Sequence, residues 1–437
     1  MGHKIPVTLF WFRRDLRLDD NAGFYHALKS GNPVLPVFIF DKEILEKLED
    51  KDDARVTFIH QTIASLSAEL HKHGSSLMVL HHKAADAWDK LIKTYNIAGV
   101  YTNHDYEPYA TKRDDEVHAK LKERGIPLKT YKDQVIFEKD EVIKDDGKPY
   151  TVYTPYQRKW YSILKPFYLK AYPTKKYLKN LYQTEAFPIP SLKEMGFKKS
   201  GMPLPDKSYE GVIKDYKDQR DFPAIKGTSH IGMHLRFGTV SIRELAGTAY
   251  SHDDKTWLNE LIWREFYMMI LHHFPDTMDH AFRPEYDRIH WLNDEKQFDA
   301  WCKGETGFPI IDAGMRELNT TGFMHNRVRM IVASFLSKDL LIDWRWGERY
   351  FARKLLDYEM ASNVGGWQWA AGSGTDAAPY FRIFNPDAQT KKFDPELQYI
   401  KKWVPEYADF SKYPKPIVDH GKARDRCLAA FKKALAK

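Results

Sequence analysis

The chain has 437 residues, 43% of them hydrophobic and 14% aromatic, with a formal net charge of +7 and a sequence pI near 8.9. That length exceeds what one hydrophobic core usually organises, so two domains are expected, and the composition excludes a disordered or fibrous chain. Two cysteines, Cys302 and Cys427, exclude a disulfide framework, while the mild basic excess favours a polyanionic partner only slightly.

The amino terminus, MGHKIPVTLFWFRRD, has no apolar segment followed by a cleavage site, and no run reaches membrane-spanning length. Pro6 stands where N-myristoylation would need Ser or Thr. A soluble, cytoplasmic protein without membrane association is expected. No self-association seam is evident, so a monomer with no obligate protein partner is expected too.

From residue 1 to about 135, apolar runs alternate with helical patterns. VTLFWF (7–12), VLPVFIF (34–40), SLMVL (76–80), GVYTN (99–103) and PLKTY (127–131) read as strands. Between them Ile59, Ile63, Leu66 and Leu70 repeat at helical spacing, and 85–96 and 112–125 also read as helices. This order predicts an α/β domain with a doubly wound, Rossmann-like parallel sheet. No GxGxxG follows a strand and no P-loop is present, so an ordinary dinucleotide site is not announced. Residues 136–204, rich in Lys, Tyr and Pro, read as a long surface linker with one helix. From 205 to 437 helical patterns dominate, predicting an all-α second domain, and 419–437 reads as a short basic helix.

Polar groups interrupt the second half at several points. GTSHIGMHLRFG sets Gly227, Thr228 and Ser229 ahead of a helix, which would offer N–H groups and hydroxyls to a phosphate; a plain helix cap looks the same. His230 and His234 have i,i+4 spacing but no third ligand nearby, so no metal is expected. In WLNELIWREFY, Trp257, Glu260, Trp263 and Arg264 project to neighbouring positions of one helix face, or Glu260 and Arg264 form an i,i+4 pair. TGFMHNRVRM packs His325, Asn326, Arg327 and Arg329 into an otherwise apolar helix, with His325 read as a helix-core imidazole. An Arg329–Asp357 pair in a helical core stabilises poorly and makes more sense beside a polar cofactor ring. The stretch from Asn363 through Trp367, Trp369, Asp376 and Arg382 to Pro386 has low helical and low strand propensity. Its glycines allow close backbone approach to a flat ligand, and its indoles stack on π-systems.

Together these segments resemble the photolyase/cryptochrome family, most closely the class I DNA photolyases that repair cyclobutane pyrimidine dimers. The resemblance runs from WFRRDLRLDDN (11–21) to about residue 405. Its most specific pieces are QRDFPAIKGTS, WLNELIWREFY, GFPIIDAGMRELNTTGFMHNRVRM and ASNVGGWQWAAGSGTDAAPYFRIFNP.

The resemblance implies FAD in the helical domain. Tyr216, Thr228, Ser229, His230, Ile231 and Gly232 would lie along its diphosphate and ribitol, with Trp257 close by. Arg329, Asp357, Tyr358 and Glu359 would lie beside the isoalloxazine, with Asn363 opposite N5. An amide there suits a flavin kept reduced; plant cryptochromes carry Asp and animal ones Cys, so Asn363 points to repair. The family's second phosphate-binding serine is replaced by Gly232, which loses a hydroxyl.

The resemblance also implies a lesion cavity made by Arg220, Glu260, Trp263, Arg264, Asn326, Arg327, Met330, Trp369 and Gln389. Trp263 and Trp369 would clamp the flipped dimer, and Glu260 or Asn326 would bond its carbonyls. Photolyases of the (6-4) type have histidine where Asn326 stands. Trp367, Trp344 and Trp291 match the electron-transfer chain that reduces oxidised flavin. The implied reaction is light-driven repair of pyrimidine dimers in damaged DNA, by electron transfer from photoexcited reduced FAD. The alternative is a cryptochrome-type blue-light receptor; receptors often carry a long polar tail, and the short basic helix here favours repair. A second antenna chromophore, of folate or deazaflavin type, is possible in the first domain, although Tyr109-Ala110 stands where folate-type members have Asn-Glu.

Overall fold

The computed structural model describes residues 5–409 and 411–436, so the Met1-Gly2 start lies outside the described residues. The chain forms two compact units, one of residues 1–138, 164–207 and 232–251, the other of 139–163, 208–231 and 252–437.

In the first unit the predicted parallel sheet is present. Strands β1 (Pro6–Phe12), β2 (Val34–Asp41), β3 (Met78–His82), β4 (Asn96–Asn103) and β5 (Leu128–Tyr131) run in the order β3-β2-β1-β4-β5. Both faces of the central strand are apolar because alternate residues point to opposite sides. Phe10 and Phe12 join one core with Phe24, whereas Leu9 and Trp11 join the other with Trp88. Helices α1 (Ala22–Leu28), α2 (Ala54–His71), α3 (Ala84–Thr94) and α4 (Pro108–Glu123) supply the covering residues.

The units cut the chain differently from the expected segments 1–135, 136–204 and 205–437. A charge network explains why residues 232–251 fold with the sheet. Arg243, buried in the helix Ile242–Ser251, donates to Asp20 at 2.8 Å and to Asp133 at 2.7 Å. Arg17 donates to the other oxygen of Asp133 at 2.7 Å. Burial raises the Asp133 carboxyl, but the two guanidiniums outweigh it and hold the group below its usual range. A buried guanidinium must stay with its carboxylates, so this helix stays with the sheet.

The second unit is helical. Its parts relevant to function are α5 (Tyr153–Ile163), α6 (Thr256–His273), α7 (Asn326–Ser334), α8 (Trp344–Lys354), α9 (Met360–Ala371) and α10 (His420–Leu435). The main core gathers Trp301, Val332, Phe335, Trp344, Phe351 and Trp367.

The Asn363–Trp369 stretch departs from expectation, because low propensity predicts irregular backbone and the structure gives α9 instead. Tertiary packing overrides propensity here. A Cβ at Gly365 would come within 2.2 Å of the Tyr267 ring, and one at Gly347 within 2.1 Å of Trp367. The glycines thus let α9 approach α6 and α8 closely, and burial of Val364, Trp367 and Ala370 stabilises the helix.

No helix among the described residues is long and apolar enough to cross a membrane. Replacing Asp133 with Ala leaves Arg17 without its carboxylate and Arg243 with Asp20 alone. Denaturant unfolding should then show a loss of about 3–5 kcal/mol, and a loss below about 1 kcal/mol would remove this network from the stabilising interactions.

A cavity for a flat cofactor and a large substrate

Helices α6, α7 and α9 and the connection after α8 enclose a cavity of about 400 Å³. On α6, Glu260, Trp263, Arg264 and Tyr267 line it at i, i+3, i+4 and i+7, one continuous helix face. From α7 come Asn326, Arg327, Arg329 and Met330; Asp357, Tyr358 and Glu359 follow α8; Asn363, Trp367 and Trp369 come from α9.

Each arginine lining the cavity has a carboxylate partner. Arg220 pairs with Glu260, Arg264 donates to Glu359 at 2.7 Å, Arg327 to Asp221 at 2.8 Å and Arg329 to Asp357 at 2.8 Å. The local i,i+4 alternative for Glu260 is therefore replaced by a longer-range partner, Arg220. Burial lifts the Glu260 carboxyl above its ordinary range even though Arg220 pulls the other way.

Two acceptors are set up for a ligand. Asp357 Oδ1 is buried and meets no hydrogen-bond partner among the described residues. Asn363 directs its amide nitrogen to Glu348, with Nδ2 donating to the carboxylate at 2.9 Å and the backbone carbonyl at 3.1 Å. That fixes the amide so that its carbonyl oxygen is the group available for another partner. Burial pushes the Glu348 carboxyl up, while its bonds to Asn363 and Tyr358 draw it down.

His325 is the N-cap of α7, not a residue within a helix. Its Nδ1 accepts from the Arg327 N–H at 3.1 Å, which requires the neutral ring with its proton on Nε2. Burial and the nearby arginines lower its pKa to about 4.

The other predicted residues lie elsewhere. Trp257 is buried, stacks on Tyr209 and is not among the residues lining the cavity. Tyr216 lies under the Arg220 guanidinium, 5.6 Å from it. Thr228 and Ser229 are half-buried and Ile231 is buried. His230 is exposed at φ +52° with its ring stacked on Phe323. Gly232 opens the short helix Gly232–Phe237, counted with the first unit. Gln389 is half-buried in the helix Pro386–Phe393 and is not a lining residue. Trp367 packs edge-on against Trp301 and Phe351, Trp344 is buried at the start of α8, and Trp291 is half-buried against Phe431 of α10.

Sequence reasoning missed Glu348, Asp221, Tyr267 and Tyr153. Only Tyr267 had a local signal, its i+7 spacing from Glu260; the others are reached through space. In the first unit a second cavity of about 250 Å³ is lined by Lys47, Tyr109, Lys112 and Arg113 with Glu43 and Glu116. The Tyr109 hydroxyl there donates to Asp41 at 2.7 Å, and Lys47 lies over its ring.

Comparison with known proteins identifies the lineage. Residues 8–176 match the family described as DNA photolyase, and 257–412 match the FAD binding domain of DNA photolyase. A deoxyribodipyrimidine photo-lyase of Synechococcus sp. is 38% identical, the match covering 97% of this chain and 96% of that protein. The Escherichia coli enzyme of the same name is 36% identical over 98% and 99%. Among solved structures, a class III photolyase from Agrobacterium tumefaciens aligns with TM-score 0.86 and 34% identity over 99% of this chain and 98% of that one. An archaeal photolyase from Sulfolobus tokodaii, determined with two FAD molecules, aligns at 0.84 and 33% over 98% and 100%. A Synechocystis cryptochrome aligns at 0.86 with 26% identity over 98% and 100%. The chain belongs to the DNA photolyase family.

The neutral His325 makes a pH prediction. Its folded pKa of about 4 lies below the ordinary 6.5, so on acidification the unfolded chain takes up the proton first. The stability it contributes is complete above 6.5 and is lost as pH falls toward 4. Urea midpoints should decline over that window, and more shallowly in His325→Asn, which keeps a capping oxygen but does not titrate. Identical slopes would exclude His325 as the titrating group.

Proposed function

We propose that this member of the family splits cyclobutane pyrimidine dimers in DNA under light, with FAD as its resident cofactor. One observation carries the reading: a single cavity is lined both by groups suited to a flavin ring and by groups suited to two linked, everted pyrimidines.

The residues fit FAD. The unpartnered Asp357 oxygen is a buried acceptor that a ring N–H would satisfy, and Arg329 holds that carboxylate in place through its other oxygen. The Asn363 carbonyl, fixed through Glu348, would face the flavin N5. Tyr358 and Glu359 would border the ring, while Tyr216 and Thr228 to Ile231 would serve the diphosphate arm. When bound and reduced, the flavin supplies the photoexcitable electron donor.

The remaining work belongs to the side chains. Trp263 and Trp369 would stack on the two bases, and Asn326 would donate to a pyrimidine carbonyl. Glu260 would hydrogen-bond a second polar edge, as a donor whenever its raised pKa leaves it protonated. Arg327, Arg264 and Arg220 would attract the phosphates around the everted pair, so binding should weaken with salt. Met330 offers a soft apolar edge, and Gln389, outside the cavity lining, would contact the DNA strand. Trp367, Trp344 and Trp291 would carry electrons inward to restore reduced cofactor.

The receptor alternative has the Synechocystis cryptochrome likeness in its favour. Asn363 and the Glu260, Trp263 and Trp369 set favour repair. A second chromophore of folate or deazaflavin type would fit the first unit's cavity, where Tyr109 offers a stacking face and Lys47, Lys112 and Arg113 offer cations. The same reading makes the protein a cytoplasmic monomer acting on damaged DNA without a membrane or a protein partner; sedimentation tests the oligomeric state.

Illuminating the FAD-loaded protein with dimer-bearing oligonucleotide and reductant tests the reading directly, and intact dimers would overturn it. Glu260→Ala should retain FAD yet slow splitting by roughly 5- to 150-fold, the cost of one lost buried hydrogen bond. An unchanged rate would remove Glu260 from the reaction. Trp344→Phe should block photoreduction of oxidised flavin while chemically reduced enzyme still repairs. If the reduced variant is equally inactive, the tryptophan route is wrong.

A further inference from the structure

Behind the cavity, Tyr153 at the start of α5 lies flat on Trp263. Their ring centroids are 3.6 Å apart and their planes 7° from parallel. Such close face-to-face contact fills one face of the indole, leaving the opposite face for a base. Tyr153 is itself held at several points. Its hydroxyl donates to the Asn259 carbonyl of α6 at 2.9 Å and accepts from Gln157 at 3.3 Å. Its ring meets Phe266 edge-on, and α5 is fastened to α6 by the Trp160 Nε1 bond to buried Glu265 at 2.6 Å.

A second contact reaches the other side of the site. The Tyr153 N–H donates to Asp376 Oδ2 at 3.3 Å. Asp376 has φ +48°, a left-handed conformation that a non-glycine residue keeps only when its surroundings hold it there. It belongs to the loop that leaves α9 just after Trp369. One residue therefore touches both the ring of Trp263 and the loop next to Trp369.

We propose that Tyr153 is a positioning residue for substrate binding. It fixes the plane of Trp263 and ties down the loop beside Trp369, so that the two indoles are set for the dimer before it arrives. Preorganisation of this kind acts on affinity, not on the electron-transfer step. The inference rests on the dimer-splitting reading above.

The test uses FAD-loaded protein with an oligonucleotide carrying one thymine dimer and its undamaged twin. Tyr153→Leu should weaken dimer binding in the dark by about 3- to 10-fold, the range of an aromatic pair. Affinity for the undamaged twin should stay within about twofold, and splitting per absorbed photon at saturating substrate should match wild type. Tyr153→Phe, which keeps the stack, should restore dimer affinity. In a Trp263→Leu background, Tyr153→Leu should cost no further affinity, because it acts through that indole.

Dimer affinity within twofold of wild type in Tyr153→Leu, equal losses for both oligonucleotides, or additive losses in the double variant would each overturn the proposal. If Tyr153→Leu loses FAD, Tyr153→His, with a smaller ring, should give an intermediate affinity; loss of FAD there too would assign Tyr153 to folding and overturn it equally. Wild type that leaves the dimer intact sinks the functional reading and this inference together. Wild type that splits it beside an unaffected Tyr153→Leu sinks this inference alone.

Discussion

The cavity depends on pairing every guanidinium in its wall with a carboxylate. Arg220, Arg264, Arg327 and Arg329 would each be costly to keep in a partly desolvated site alone. Their partners come from different elements: α6 itself, the segment after α8 and the turn at Asp221. The pairs therefore cross-link the wall. They contribute little net stability, because desolvation offsets most of the attraction, but they fix the orientation of polar groups. The exception is informative. Asp357 is held by Arg329 through one oxygen and leaves the other unmatched, which is where a ligand donor fits.

Close helix contact sets the remaining geometry. Gly365 and Gly347 remove side chains where α9 meets Tyr267 of α6 and where α8 meets Trp367. With those gaps filled by aromatic rings, Asn363 is brought to Glu348 and Trp367 is buried against Trp301 and Phe351. Because interiors pack like solids, a methyl added at either glycine displaces an indole or a phenol along with the groups it carries.

The two units solve a shared problem by the same means. In the first, Asp133 joins Arg17 and Arg243 across more than a hundred residues of sequence. In the second, Glu265 receives the Trp160 N–H and so holds α5 to α6. In each case one buried polar group decides which distant segment belongs to the unit, since leaving it unsatisfied costs more than ordering the chain that satisfies it.

Local sequence determined what depends on periodicity and near neighbours. The five parallel strands were legible because apolar runs bounded by helical patterns can bury both sheet faces. The lining face of α6 was legible because Glu260, Trp263 and Arg264 recur at the helical repeat. Most of the residues that line the cavity were legible through their motifs. Tertiary structure alone decided what depends on distance through space. Glu260 chose Arg220 forty residues away over Arg264 one turn along, and Trp257 turned to Tyr209. The glycine-rich stretch became a helix, and Tyr153 from the expected linker came to lie on Trp263. A helical or strand repeat specifies which face a side chain occupies; what meets that face is specified by the packing of the whole chain.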